Sequence, residues 1–214
     1  MGRSLRASNR GPAALIAVVL AGTTASAHRH DELLQAARIG IGEQRVQLEL
    51  SLTPGIAVAD AIIGEIDRNG DGALSDEERG AYADQALRAM QLAVDGRPLR
   101  VEIVAATFPA IEALRGGDSS IELRAVATLP SLPSGKHRVS FDHAYRREIG
   151  VYLTNALAPQ SDRIAITAQQ RDPDQRSTTI EYLIASRSSA MLPLWLLAPG
   201  AAAWLLVRRR LLPI

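Results

Sequence analysis

The sequence predicts a mainly β protein. The expected fold is an antiparallel β-sandwich with an inserted helix–loop–helix, preceded by an N-terminal signal and followed by a C-terminal transmembrane helix. Three observations carry this reading. Apolar residues recur at every second position in a series of short stretches, the mark of strands buried on one face. One acidic twelve-residue stretch, "DRNGDGALSDEE" (67–78), separates two segments whose apolar residues repeat at helical spacing. Both ends of the chain hold uncharged apolar runs flanked by arginines.

Residues 1–27 have the order of a secretory signal. Arg3, Arg6 and Arg10 come first, then the apolar run "PAALIAVVLAG", then "ASA" before His28. The run is too short for a bilayer, which takes about 20 apolar residues. Cleavage after Ala27 makes His28-Arg29-His30 the new terminus. A free amine with histidine in third place can hold Cu(II) or Ni(II) in a tetragonal nitrogen set. A frayed polar tail reads the same way.

The exported domain is expected at 28–184. "ARIGI" (37–41) and "RVQLELSL" (45–52) open it. In the second, Val46, Leu48, Leu50 and Leu52 share one face, and Arg45, Gln47 and Glu49 the other. Residues 56–94 break the alternation and are expected to form the helical insert around the loop. "PLRVEIV" (98–104) resumes it through Leu99, Val101 and Ile103, and "SIELRAVATL" (120–129) through Ile121, Leu123, Ala125 and Ala127. "HRVSF" (137–141), "GVYLT" (150–154), "RIAIT" (163–167) and "STTIEYLI" (177–184) bring the count to eight. Turn-forming stretches such as "RGGDSS", "PSLPSG" and "RDPDQR" separate them. Polar outer faces point to an antiparallel sandwich.

Residues 185–189 read as a stalk. The stretch 190–207, "AMLPLWLLAPGAAAWLLV", is uncharged and long enough to span a bilayer, with Trp195 and Trp204 as interfacial anchors. Pro193 and Pro199 are tolerated in a membrane helix. Arg208, Arg209 and Arg210 follow, so the basic tail 208–214 is expected in the cytoplasm. This order describes a single-pass protein of the bacterial envelope, anchored in the cytoplasmic membrane, with its N-terminal domain periplasmic or extracellular.

The loop carries the sharpest chemistry. Calcium takes about six to eight hard oxygen ligands, and the EF-hand loop supplies them from its first, third, fifth, seventh, ninth and twelfth positions. Here those are Asp67, Asn69, Asp71, the carbonyl of Ala73, Ser75 and Glu78. Gly72 fills the sixth position, where the chain turns sharply, and Leu74 the apolar eighth. Ala59, Ile62, Ile63 and Ile66 form an apolar face before the loop; Tyr82, Ala83, Ala86 and Leu87 form one after it. Ser75 and Glu78 also have the spacing of a capping box. An acidic solvated loop is the bland alternative. It leaves six ligand positions and a glycine in register by coincidence. Because EF-hands usually pair through the eighth residue and no second loop is present, Leu74 is expected to pack on the sandwich.

Composition excludes several classes. With no cysteine there are no disulfides, thiolate metal sites or cysteine nucleophiles. The span from His28 to Arg187 sets 18 basic residues against all 23 acidic ones, a balance of −5. That speaks against nucleic acid as a partner. Asp142 beside His143, with His137 nearby, offers a catalytic constellation without a nucleophile motif, so His143 is expected on the surface and no enzyme activity is expected. Arg146, Arg147, Arg163 and Arg171 are expected on solvated strand faces.

The order "LTPGIAVADAIIGEID", acidic loop, helix, "VDGRPL", further strands resembles the exported N-terminal domains of bacterial nickel/cobalt transporters and of HupE/UreJ-type membrane proteins. The resemblance covers roughly residues 28–184. Those transporters have many spans where this chain has one, so transport by this chain itself is not implied. The resemblance implies an exported EF-hand domain working beside a membrane transporter or another envelope protein. The expected function is therefore a membrane-anchored, non-enzymatic calcium-binding module. The alternative is an accessory protein for nickel, cobalt or copper that uses His28 and His30.

Overall fold

The structure is a computed structural model and describes residues 31–186. The expected signal, His28, His30, most of the stalk, the expected span and the basic tail lie outside the described residues. Among the described residues no helix is long and apolar enough to cross a membrane.

The chain is mainly β. In order it forms β1 (Leu33–Ile41), β2 (Arg45–Pro54), α1 (Ile56–Ile66), α2 (Asp76–Arg88), β3 (Met90–Val94), β4 (Arg97–Pro98) and β5 (Val101–Thr107). Then come α3 (Ile111–Arg115), β6 (Ile121–Thr128), β7 (Gly135–His143), β8 (Gly150–Ala156), β9 (Ile164–Arg171) and β10 (Ser177–Ile184). Two five-stranded sheets result, with orders β5-β6-β2-β1-β8 and β4-β3-β7-β10-β9. Their inward residues join one hydrophobic core, an arrangement consistent with a sandwich.

Period-two patterning places that core. Val46, Leu48, Leu50 and Leu52 of β2 are buried, as are Ile121, Leu123, Ala125 and Ala127 of β6. Val139 and Phe141 of β7 and Ile180 and Tyr182 of β10 close it from the second sheet. Each large apolar side chain so buried contributes about 1.5–3 kcal/mol.

Four features depart from the sequence expectation. The first sheet is mixed: β1 and β8 run parallel, Leu33 opposite Gly150 through Ile39 opposite Ala156, while the other pairs are antiparallel. A parallel pair needs a long crossover, and here residues 42–149 lie between the two strands. The helical insert ends at Arg88, not at residue 94, because Met90, Leu92 and Val94 alternate inward as β3. The expected strand 98–104 is split between sheets: Arg97–Pro98 pairs with β3, and Val101–Thr107 pairs with β6. A single-turn helix, α3, packs Ile111 and Leu114 inward before β6.

The β3–β4 turn explains the "VDGRPL" stretch. Asp95 at φ +49° and Gly96 at φ +78° both occupy the left-handed region, as a two-residue type I′ hairpin turn requires. Asp95 then reaches the neighbouring strand β7 of the same sheet, accepting from Arg138 N–H at 2.9 Å and bonding His137 Nδ1 at 2.8 Å.

The helix pair sits on the core by the expected faces. Ala59, Ile62, Ile63 and Ile66 of α1 are buried, as are Tyr82, Ala83 and Ala86 of α2. Tyr82 meets Phe108 and Tyr145 edge-on, each with ring centroids 5.9 Å apart. Leu87 is half-buried against the same core, and so is Leu74 of the loop, which finds its apolar partner within the domain.

Candidate metal centre

Asp67 caps α1 at its C-terminal end, and its N–H bonds the Ile63 carbonyl at 2.8 Å. From there the chain folds back on the Asp67 carboxylate. One oxygen accepts from Gly70 N–H at 2.9 Å and from Asp71 N–H at 3.2 Å, the other from Gly72 N–H at 2.9 Å. Gly72 does so at φ +79°, where a side chain would be strained, so the sixth position needs glycine.

The next donors continue this pattern. Asn69 Oδ1 accepts from Asp71 N–H at 2.9 Å, and Asn69 Nδ2 donates to Asp71 Oδ2 at 3.0 Å. Asp71 Oδ1 accepts from Ala73 N–H at 2.8 Å. The loop is therefore wound tightly by its own would-be ligands.

Glu78 closes it. Ser75 Oγ accepts from Glu78 N–H at 3.3 Å, and Glu78 Oε2 accepts from Ser75 N–H at 3.0 Å, a complete capping box that starts α2. The other oxygen, Oε1, accepts from Arg68 N–H at 3.0 Å and Asn69 N–H at 3.4 Å. One carboxylate thus ties the end of the loop to its beginning. The bonds from the Ser75 backbone and hydroxyl, then those from Asn69 and Arg68, hold the Glu78 carboxyl below the usual carboxylate range. A group kept ionised at the mouth of the loop suits a cation.

The chemistry of the donors fits a hard cation. Asp67, Asn69, Asp71, Ser75 and Glu78 all present side-chain oxygens and Ala73 presents a carbonyl. Only three of the six are carboxylates. Among the described residues no group of three or more histidine, cysteine, aspartate or glutamate side chains is placed to hold a metal. In this structure Glu78 faces loop amides, and half the donor set is neutral oxygen.

The catalytic constellation weighed above does not converge. Successive side chains of β7 point to opposite faces, so Asp142 lies outward, bonded to Ser177 Oγ, while His143 lies inward. The expected surface His143 is fully buried instead. His137 is at the far end of the strand, between Asp95 and the Pro133 carbonyl (2.9 Å). The arginines are mostly engaged: Arg146 with Glu65 and Glu148, Arg163 with Glu43 and the Ala185 carbonyl, Arg171 with the Thr154 carbonyl.

A junction that periodicity does not reveal lies beside the loop. Glu65 of α1 pairs with Arg146 and accepts from Tyr145 O–H at 2.9 Å. Gln85 of α2 donates to Glu65 at 3.4 Å and accepts from Arg68 Nη2 at 3.2 Å. The Tyr145 carbonyl in turn accepts from Gln35 Nε2 at 2.8 Å and Tyr152 O–H at 2.7 Å. Loop, helix pair, β1 and β8 therefore meet at the β7–β8 connection.

Comparison with protein-family models, curated proteins and solved structures gives no match for this chain.

Proposed function

We propose that this chain is a membrane-anchored, extracytoplasmic calcium-binding domain protein and acts as a non-enzymatic interaction or accessory module. In this reading the helix–loop–helix is a single EF-hand on a β-sandwich. Asp67, Asn69, Asp71, the Ala73 carbonyl, Ser75 and Glu78 hold the ion. The observation that carries the reading is the full loop pattern combined with the Ser75–Glu78 capping box between two helices. Bound calcium supplies a divalent charge against three carboxylates and fixes how the two helices lie on the sheets. The anchor is the stretch 190–207, and the partner class is a transporter or other protein of the same membrane.

An affinity near ~10⁻⁴–10⁻³ M suits an exported, structural site. Because the ion binds the folded state, the melting temperature of the wild-type protein is expected to rise with added calcium. Glu78→Gln keeps the size of the side chain and removes its charge. Its melting temperature is expected to stay nearly flat across the same titration. Asp71→Asn, at an exposed position outside the capping box, gives a second variant with the same expectation should Glu78→Gln fold poorly. Wild type and both variants melting alike at every calcium concentration would sink the calcium reading.

A further inference from the structure

Two uncharged, proline-bearing stretches close one end of the sandwich. Residues 129–134 ("LPSLPS") join β6 to β7, and residues 157–161 ("LAPQS") lie between β8 and β9. The first sheet ties both down at the β1–β2 hairpin. Leu129 N–H donates to the Gln44 carbonyl and Leu157 N–H to the Ile39 carbonyl, each at 2.8 Å, and Ser161 Oγ donates to Glu43 at 2.7 Å. Pro130, Pro133 and Ala158 are exposed, while Leu132, Leu157 and Pro159 are half-buried. The acidic loop hangs from the opposite end, where Pro54 leads into α1.

The described chain leaves the domain at this same end. Ala185 follows β10; its N–H donates to the Arg163 carbonyl and its own carbonyl accepts from Arg163 Nη2, both at 2.8 Å. In the anchoring proposed above, on which this inference rests, only residues 187–189 separate Ser186 from the span 190–207. Four steps of fully extended chain cover at most about 14 Å. The headgroup layer takes up roughly 5–7 Å of that reach. This end is thus held within about one Debye length of the lipid phosphates. Its charge suits them. Arg45 at the start of β2, Arg97 beside the Asp95–Gly96 turn and Lys136 at the start of β7 are exposed, and none is in an ion pair among the described residues. Glu43 is held by Arg163 and Asp95 by His137, and Asp162 is the exposed carboxylate that stands against the three cations.

We propose that this end is a lipid-contacting surface that seats the domain on the anionic phospholipid headgroups of its own membrane. Arg45, Arg97 and Lys136 meet the phosphates. The two uncharged stretches enter the headgroup layer without carrying a carboxylate into it. On a domain whose overall balance is negative, the same charges turn the acidic end outward.

The test uses the full-length chain in vesicles of phosphatidylcholine, alone or mixed equally with phosphatidylglycerol. Both tryptophans, Trp195 and Trp204, lie in the proposed span, so quenching of their fluorescence by tail-brominated lipid reports the anchoring by itself. Because the chain has no cysteine, Ser131→Cys, Gln160→Cys and, at the far end, Asp174→Cys each accept a single fluorophore; all three positions are exposed. A lipid with a nitroxide on its headgroup is expected to quench the labels of Ser131→Cys and Gln160→Cys and to spare that of Asp174→Cys. Phosphatidylglycerol should strengthen this quenching, and about 1 M salt, where the Debye length is about 3 Å, should remove the gain. Arg45→Glu combined with Lys136→Glu is expected to lose the gain as well, with tryptophan quenching unchanged. Unquenched tryptophans would overturn the anchoring and this proposal with it. With the tryptophans quenched, two results would overturn the proposal alone. One is equal quenching of all three labels; the other is quenching that ignores both phosphatidylglycerol and the charge reversal.

Discussion

His143 shows how far one residue's surroundings can move its chemistry. It ends β7 fully buried beside the Tyr152 ring, 5.0 Å between centroids, and its Nε2 has no hydrogen-bond partner among the described residues. Burial lowers its pKa to about 4; Asp142 opposes this shift and Arg176 adds to it. The unfolded chain binds the proton near pH 6.5 and the folded chain does not, so the unfolded state carries more protons between those values. Stability is therefore expected to fall as pH drops from about 6.5 to about 4, by roughly 3 kcal/mol for this group at one pKa unit per 1.36 kcal/mol. Urea midpoints measured across that range should show the slope, and His143→Gln should flatten it. His137 runs the other way. Burial lowers its pKa, but the bonds to Asp95 and the Pro133 carbonyl more than reverse this and leave it raised. Its contribution is complete at acid pH and fades as pH rises through the folded value.

At the scale of elements, the question is what fixes the helix pair. Apolar burial seats α1 and α2, but burial is not directional. Direction comes from Glu65, which holds Tyr145 and Arg146 of the β7–β8 connection. That connection is itself tied to both parallel strands through Gln35 and Tyr152. Space is tight there: a Cβ on Gly150 would lie 2.5 Å from Gln35 Nε2 and 2.8 Å from the Tyr152 hydroxyl, so β8 must open with glycine. Tyr145→Phe removes the hydroxyl from Glu65 and keeps the ring against Tyr82. A loss of about 1.5–3 kcal/mol is expected, the range for a hydrogen bond to a charged group. Chemical denaturation in excess EDTA checks it, since calcium then contributes nothing to the difference. A loss near zero would mean that the apolar faces alone orient the helices.

Across the whole molecule the elements divide between two ends. The helix pair, the β7–β8 connection and the turn at 173–176 gather at one. The β1–β2 hairpin, the Asp95–Gly96 turn and the end of β10, with Ile184 opposite Gly135 and Ile164, lie at the other. A nine-residue strand such as β1 separates them by roughly 30 Å. The described chain thus leaves at the end opposite the acidic loop. In the proposed anchoring, the loop faces away from the membrane. Among the described residues the core draws on strands of both sheets and on all three helices. A fragment spanning residues 28–188 is accordingly expected to be soluble and to melt in one cooperative transition. Aggregation relieved only by detergent would count against a self-contained domain.

The sequence by itself determined the inward faces of β2 and β6, the apolar faces of both helices and the order of oxygen donors in the loop. Each rests on spacing within a few residues, where strand and helix periods act directly. It did not show that β1 pairs with β8 in parallel, because alternation is the same in either direction. Nor did it separate β4 from β5: Pro98 to Val104 reads as one alternating stretch, and only pairing with β3 and β6 divides it between sheets. β3 was hidden for a related reason, its three inward residues following a helix without a turn signal between them. The burial of His143 and the bonds between the Gln169 amide and the β8 backbone at Thr154 and Ala156 depend on partners distant along the chain. Side-chain direction is local and legible, whereas the choice of neighbour is made by long-range packing, which only the tertiary structure decides.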